Sequence, residues 1–134
     1  MRPTAADLER IALFASFSDS EREELAESFE VRSKVAGTEL IGERAGGYSF
    51  FALADGEASV SVNGIEIAAL SPGDCFGEMA LLGDGRRTAS VTTTTPTTVY
   101  VMFGTEFRRL QQTHPAVVGR IQAMMRERLI RQAE

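Results

Sequence analysis

The stretch ASVSVNGIEIAALSPGD, residues 58–74, contains two turn signals set between short β-prone segments. Asn63-Gly64 separates residues 58–62 from residues 65–67, the arrangement typical of a two-residue β-hairpin. Pro72-Gly73 suits a type II turn, with proline at its second position and glycine at its third. Short strands joined by such turns predict a small antiparallel barrel or jelly roll.

Strand patterns continue on both sides of this stretch. Further turn signals upstream are Gly37, Gly42, Gly46-Gly47 and Asp55-Gly56. The apolar positions that alternate with charged residues, as in a half-buried strand, are Phe29, Val31 and Val35. Downstream, we interpret the threonine run at 92–95 as strand surface because threonine has a high β-propensity. Residues 29–103 are therefore predicted to form a β-roll.

The N-terminal residues 1–28 are predicted to be helical. Two pairs have capping-box spacing, Thr4 with Asp7 and Ser18 with Glu21. The apolar residues that follow the first cap on one helical face are Leu8, Ile11, Ala12 and Ala15.

Helical signals return in residues 105–134. Phe107 and Leu110 mark a short helix, and Pro115 suits the first turn of a longer one. The apolar stripe of that last helix consists of Val117, Val118, Ile121, Met124, Met125 and Leu129. We expect one domain over residues 1–134, mainly β, with N-terminal helices, a β-roll and C-terminal helices.

The composition limits the possible functions. A hydrophobic fraction of 43% and a charged fraction of 25% are ordinary for a soluble globular domain. A net charge of -5 argues against a nucleic-acid partner, although one arginine can still bind a phosphate. Cys75 is the only cysteine, and the sequence shows neither a secretory signal nor a membrane-spanning run. We therefore expect a cytoplasmic protein without a membrane partner.

Residues 76–91, FGEMALLGDGRRTASV, carry the candidate chemistry. Gly77 allows close approach of a ligand, and the free N–H groups of a helical turn at 79–82 would bind an anion. Glu78 is an acceptor suited to a sugar hydroxyl, and Arg87 can bind two phosphate oxygens. Together these features describe a ribose-phosphate site, but each one alone is also common in ordinary turns and solvated loops.

The ordered combination resembles the phosphate-binding cassette of the cyclic-nucleotide-binding domain family. That family includes the regulatory subunits of cAMP-dependent kinase, cyclic-nucleotide-gated channels and the bacterial catabolite activator. The resemblance covers nearly the whole chain. The segment SPGDCFGE at 71–78 is similar to the segment that leads into the cassette in this family. It implies a β-roll with a short cassette helix and a C-terminal helix that acts as a lid.

The resemblance also assigns roles to single residues. Glu78 is expected to accept the ribose 2′-hydroxyl, and Arg87 to bind the cyclic phosphate. Backbone amides around Met79 and Ala80 are expected to reach phosphate oxygens, with Gly77 allowing that approach. The cassette spacing matches the kinase type without a gap, so Arg87 rather than Arg86 takes the phosphate role, and Arg86 is expected to face solvent.

Thr88 and Arg128 bear on the choice of base. Thr88 follows the arginine, as a threonine does in several channel domains of the family, and its hydroxyl can meet a phosphate oxygen or the 2-amino group of guanine. Arg128 occupies the position from which an arginine of the last helix touches the purine in channel domains. The alternative for Arg128 is a solvent-exposed arginine that complements the helix dipole.

The leading hypothesis is a non-catalytic sensor module without a cofactor, whose ligand is cAMP or cGMP, with cAMP favoured. Alternatives are a cGMP-selective domain and a β-roll scaffold that no longer binds nucleotide. A metal-dependent enzyme is disfavoured because His114 is the only histidine, and a transcription regulator because no helix-turn-helix follows the last helix. Cys75 is interpreted as a small buried hydrophobe rather than a redox sensor. We expect a monomer, with a homodimer as the alternative and a protein effector as a possible partner in trans.

Overall fold

The structure is a computed structural model that describes the backbone of residues 1–41, 49–77 and 89–133, and the side chains of these ranges up to residue 127. The described helices are α1 (Ala5–Glu9), α2 (Asp19–Ala26), α3 (Gly104–Thr113) and α4 (Pro115–Ala133), with a 3₁₀ turn at Ala12–Phe14. The described strands are β1 (Glu30–Lys34), β2 (Glu39–Ile41), β3 (Phe50–Asp55), β4 (Ala58–Val62), β5 (Ile65–Leu70), β6 (Cys75–Phe76), β7 (Ser90–Thr93) and β8 (Thr97–Met102).

The strands form two antiparallel sheets, which confirms the predicted β-roll with flanking helices. The first sheet has the order β1-β8-β3-β6, and the second has the order β2-β7-β4-β5. Asn63 and Gly64 have φ angles of 53° and 78°, as a two-residue hairpin between β4 and β5 requires. Gly73 has a φ of 99° and the Asp74 N–H donates to the Ser71 carbonyl at 3.1 Å, so the type II turn is also confirmed.

Strands β3 and β8 are buried on both faces, and they separate two hydrophobic clusters. One cluster, which we call the roll core, lies between the sheets and contains Ile41, Phe51, Leu53, Ala58, Phe76, Val91, Val99 and Val101. The other, which we call the helix-side core, joins Phe50, Ala52, Tyr100 and Met102 to residues of the N-terminal and C-terminal helices. Because side chains alternate along a strand, neighbouring residues of β3 and β8 serve different cores.

Both predicted capping boxes are present, but the first helix is shorter than its apolar pattern suggested. Helix α1 ends at Glu9, and Ala12 and Ala15 are exposed rather than on a buried helical face. The reason is a tertiary contact: the Ala12 N–H donates to the Gly73 carbonyl at 3.1 Å, which draws the chain toward the β-roll. The expectation that these alanines share one helical face with Leu8 was wrong.

The threonine run also differs from its prediction. Residues 92 and 93 belong to β7, but residues 94 and 95 form a bend, so the run is strand only in its first half. Thr93 is buried, and its hydroxyl donates to the Val35 carbonyl at 2.8 Å and accepts from the Thr38 N–H at 2.8 Å. Val35 itself lies beyond the end of β1 and is 75% exposed, so its predicted place in the strand alternation was wrong.

The C-terminal helices pack as predicted wherever their side chains are described; the stripe residue Leu129 lies outside the described side chains. Phe107 and Leu110 of α3 are buried, and α4 begins at Pro115. The stripe residues of α4 that are buried in the helix-side core are Val117, Val118, Ile121 and Met125, with Met124 partly buried against it. Among the described residues no helix has both the length and the apolar character needed to span a bilayer.

Candidate functional site

The candidate site begins at the glycine that ends β6. Gly77 has a φ of 84°, a backbone conformation that residues with a Cβ rarely adopt. This gives a structural reason for glycine at 77 in addition to its predicted role in ligand access. The other cassette residues with predicted contacts, Glu78, Met79, Ala80, Arg87 and Thr88, lie outside the described residues, as does Arg86.

The approach to Gly77 is tightly held by β3. In the ladder Phe51 faces Phe76, and their rings stack at 5.0 Å between centroids with an interplanar angle of 4°. The Gly73 N–H donates to the Leu53 carbonyl at 2.8 Å, and the Leu53 N–H donates to the Asp74 carbonyl at 2.8 Å. Backbone bonds and a buried aromatic pair thus place the entrance of the cassette with little freedom.

The cassette connects the two sheets. Its entrance follows β6 in the first sheet, and its exit is β7 in the second, where Ser90 pairs with Ser61 and Val91 with Val60. Phe76 and Val91, the first and last cassette residues, both lie in the roll core. The segment between them is therefore anchored at both ends to the same buried cluster.

The predicted lid residue lies on α4. This helix is continuous from Pro115 to Ala133, so residue 128 is helical, but its side chain is not among those described. One turn earlier, Met125 is 1% exposed and belongs to the helix-side core. Met125 therefore holds α4 in place, and Met124 is the more exposed of the two methionines.

The structure also describes the surroundings of Cys75 and His114, the two residues considered above for redox and metal chemistry. Cys75 is buried in the helix-side core, which agrees with its interpretation as a small hydrophobe. His114 ends α3, where its N–H donates to the Leu110 carbonyl at 2.7 Å, and its Nδ1 lies 3.3 Å from a carboxylate oxygen of Glu24. In the part of the chain that the structure describes, no three histidine, cysteine or acidic residues come together as a metal site would need.

The structure adds a contact that the sequence did not predict. Arg120 of α4 places Nη1 at 2.8 and 2.6 Å from the two carboxylate oxygens of Glu21 in α2. The Cζ atom of Arg120 also lies 4.2 Å from the ring centroid of Phe17. Hydrogen bonding from the Ser18 N–H, and then from Arg120, lowers the pKa of Glu21. These residues are 99 positions apart, so no local pattern could have revealed the pair.

Comparison with known proteins gives consistent results. A model of the cyclic nucleotide-binding domain matches residues 31–114. The cAMP-dependent protein kinase regulatory subunit of Eremothecium gossypii is 38% identical over 104 residues, which are 77% of this chain and 23% of that protein. The chain spans about a quarter to a third of the length of the curated relatives it matches.

Solved structures show the same fold. The cAMP-bound structure of PfPKA-R matches with a TM-score of 0.81 and 26% identity, over 95% of this chain and 43% of that chain. The catabolite activator protein of Thermus thermophilus matches with a TM-score of 0.78 and 26% identity, over 90% of this chain and 59% of that chain.

Proposed function

Because the chain belongs to the cyclic nucleotide-binding domain family, we propose that it is a non-catalytic sensor module that binds cAMP through residues 76–91. The single observation that carries this proposal is the family match over residues 31–114, which includes the whole cassette. The cAMP bound in the related PfPKA-R structure favours cAMP over cGMP.

The geometry of the cassette's ends supports nucleotide binding at this place. Gly77 follows β6 with a positive φ and carries no side chain that could obstruct a ligand. Both cassette ends are fixed in the roll core, which lowers the entropy lost when a loop closes around a ligand. Fixed ends at a crossing between the two sheets favour a defined place for a small anionic ligand.

Within the cassette, we assign Glu78 to the ribose 2′-hydroxyl and Arg87 to the cyclic phosphate. The amides of Met79 and Ala80 are the further phosphate donors. The two side chains would bind opposite polar ends of the nucleotide. The carboxylate accepts hydrogen bonds from the ribose hydroxyl, and the guanidinium donates hydrogen bonds to the phosphate. The chain's net charge of -5 makes Arg87 decisive, because the protein as a whole does not attract an anion.

Calorimetric titration with cAMP and cGMP tests this proposal. We expect Arg87→Ala to weaken cAMP binding by about 2–4 kcal/mol, roughly thirty- to a thousandfold. The matched control is Arg86→Ala, which removes the same charge from the neighbouring position and should change affinity by less than about fivefold. If the wild-type chain binds neither nucleotide, the module is not a sensor, and the scaffold alternative is favoured.

The role of Glu78 has a separate test. Glu78→Gln should weaken binding of cAMP but change the affinity for 2′-deoxy-cAMP little, because that ligand has no hydroxyl for the carboxylate to accept. Equal losses for both ligands would contradict the assignment. Nucleotide recovered after each titration should be unchanged by chromatography, since the proposed module has no catalytic step.

Base selection is assigned to Thr88 and to the lid helix α4, with Arg128 as the residue that meets the purine. Thr88→Ala should reduce cGMP binding more than cAMP binding, because only guanine carries the 2-amino group. Tighter wild-type binding of cGMP than of cAMP would favour the cGMP-selective alternative. We further propose a cytoplasmic module whose ligand-dependent helix movement is read by a protein effector in trans.

A further inference from the structure

The contact between Arg120, Glu21 and Phe17, which we call the α2–α4 latch, joins the two ends of the chain. We propose that Arg120 is a positioning residue: the latch holds α4 against α2 in the position from which the helix closes on nucleotide. The effect on helix position stands on the structure alone, and the effect on affinity rests on the proposed function.

Both partners of Arg120 are held in place by contacts that do not involve Arg120. Glu21 is held by the capping box, in which its carboxylate accepts the Ser18 N–H at 2.9 Å. Phe17 is buried, and its ring packs edge-to-face on Phe14 at 5.9 Å between centroids. Because neither partner has to be ordered by the contact, only the side-chain entropy of Arg120 opposes the ion pair and the cation–π interaction.

A second polar contact joins the same elements. His114, directly before α4, lies 3.3 Å from Glu24, which is one helical turn beyond Glu21 on α2. Val117 and Val118, between these polar contacts, and Ile121 and Met125 beyond them pack into the helix-side core. Apolar packing is non-directional, so the directional pairs are what select one position of α4 along α2.

The latch is linked to the candidate site through α4. The helix is continuous, so a clamp at residue 120 also positions residue 128, about 12 Å further along the axis. Met125 lies in the same buried cluster as Cys75, two positions before Gly77. The latched helix and the strand that leads into the cassette therefore share one buried cluster. For a ligand that requires the latched position, loss of the latch lowers the affinity to the extent that other positions of α4 become populated.

Hydrogen exchange of the nucleotide-free protein tests the positional part. Glu21→Gln is the cleanest change, because glutamine keeps the capping acceptor and loses only the charge. We expect this variant and Arg120→Gln each to speed exchange of α4 amides by about two- to fivefold, and the double variant to add little. The matched control is Glu23→Gln, an exposed position of α2 without an ion pair among the described residues.

Two results would overturn the positional claim. One is unchanged exchange in α4 in both single variants. The other is an equal rise in β8, which would show general destabilisation rather than release of one helix. If Glu21→Gln and the Glu23→Gln control changed exchange of the α4 amides equally, loss of the latch would not be the cause of the change.

Hydrogen exchange of the wild-type chain and the same variants with and without cAMP tests the link to the site. If the nucleotide requires the latched position, free cAMP at ten times its Kd should slow exchange of the α4 amides by about tenfold, because binding removes the released position from the population. Exchange of α4 that cAMP leaves unchanged would overturn the coupling. If the wild-type chain does not bind cAMP, the proposed function fails, and the exchange data still decide whether Arg120 positions α4.

Discussion

Substitution of Gly56, in the turn between β3 and β4, would test how tightly the turns of the β-roll pack against each other. Its φ is 88°, and a Cβ built there would lie 2.4 Å from the Pro96 carbonyl oxygen. The same Cβ would lie 2.8 Å from Cγ2 and 2.9 Å from Cα of Thr97. Two of these three atoms belong to the backbone, so rotation of a side chain cannot relieve the contact.

The expected cost of Gly56→Ala has two parts. The left-handed backbone conformation costs any residue with a Cβ about 1–2 kcal/mol. Forcing the turn between β7 and β8 away from the new methyl group adds about 1–3 kcal/mol, as overpacking does elsewhere. The sum of about 2–5 kcal/mol is a large part of the 5–15 kcal/mol that stabilises a typical domain.

Gly37 supplies the matched control. Its φ of 86° is nearly the same, and, apart from its two chain neighbours, no described residue has an atom within 4 Å of a Cβ built there. Gly37→Ala should therefore show only the first part of the cost. Urea unfolding followed by circular dichroism should give Gly56→Ala a free energy of unfolding about 1–3 kcal/mol below that of Gly37→Ala. The dependence of this free energy on urea concentration should be the same in both variants. Equal losses in the two variants would refute the assignment of the second part to steric contact.

Three further predictions follow from single residues. Gly77→Ala should weaken cAMP binding by about tenfold in calorimetry, because a Cβ disfavours the positive φ that the backbone has at the cassette entrance. Unchanged affinity would contradict this prediction. Arg22→Met should lower the free energy of unfolding by about 2–4 kcal/mol in urea, because the buried guanidinium donates to backbone carbonyls around the 3₁₀ turn; a loss below about 1 kcal/mol would count against that role. Burial raises the pKa of Tyr100, so spectrophotometric titration of a Tyr48→Phe variant should give a midpoint above 10.0. Since burial favours the neutral phenol, the associated stability is complete below pH 10.0 and is lost as pH rises through the folded-state pKa; a midpoint at or below 10.0 would contradict this.

The candidate site could be proposed from sequence because its residues are contiguous. The cassette is one segment, and the order of Gly77, Glu78 and Arg87 within it carries the resemblance to the family. The turn at Gly73 and the hairpin at Asn63-Gly64 were predictable for the same reason, since each depends on the φ preferences of adjacent residues. The latch lay beyond such reasoning because the local sequence around Glu21 indicates only a capping box, and that around Arg120 only an exposed helix position.

The sequence by itself determined the local elements: the capping boxes, the tight turns, the β-prone segments and the apolar stripe of α4. Tertiary structure alone decided where those elements stop and which of them meet. Helix α1 ends early because the Ala12 N–H bonds to Gly73, and α4 is clamped because Arg120 reaches Glu21. Dihedral preferences and caps act within a few residues, whereas these contacts join groups that come together only once the β-roll has packed.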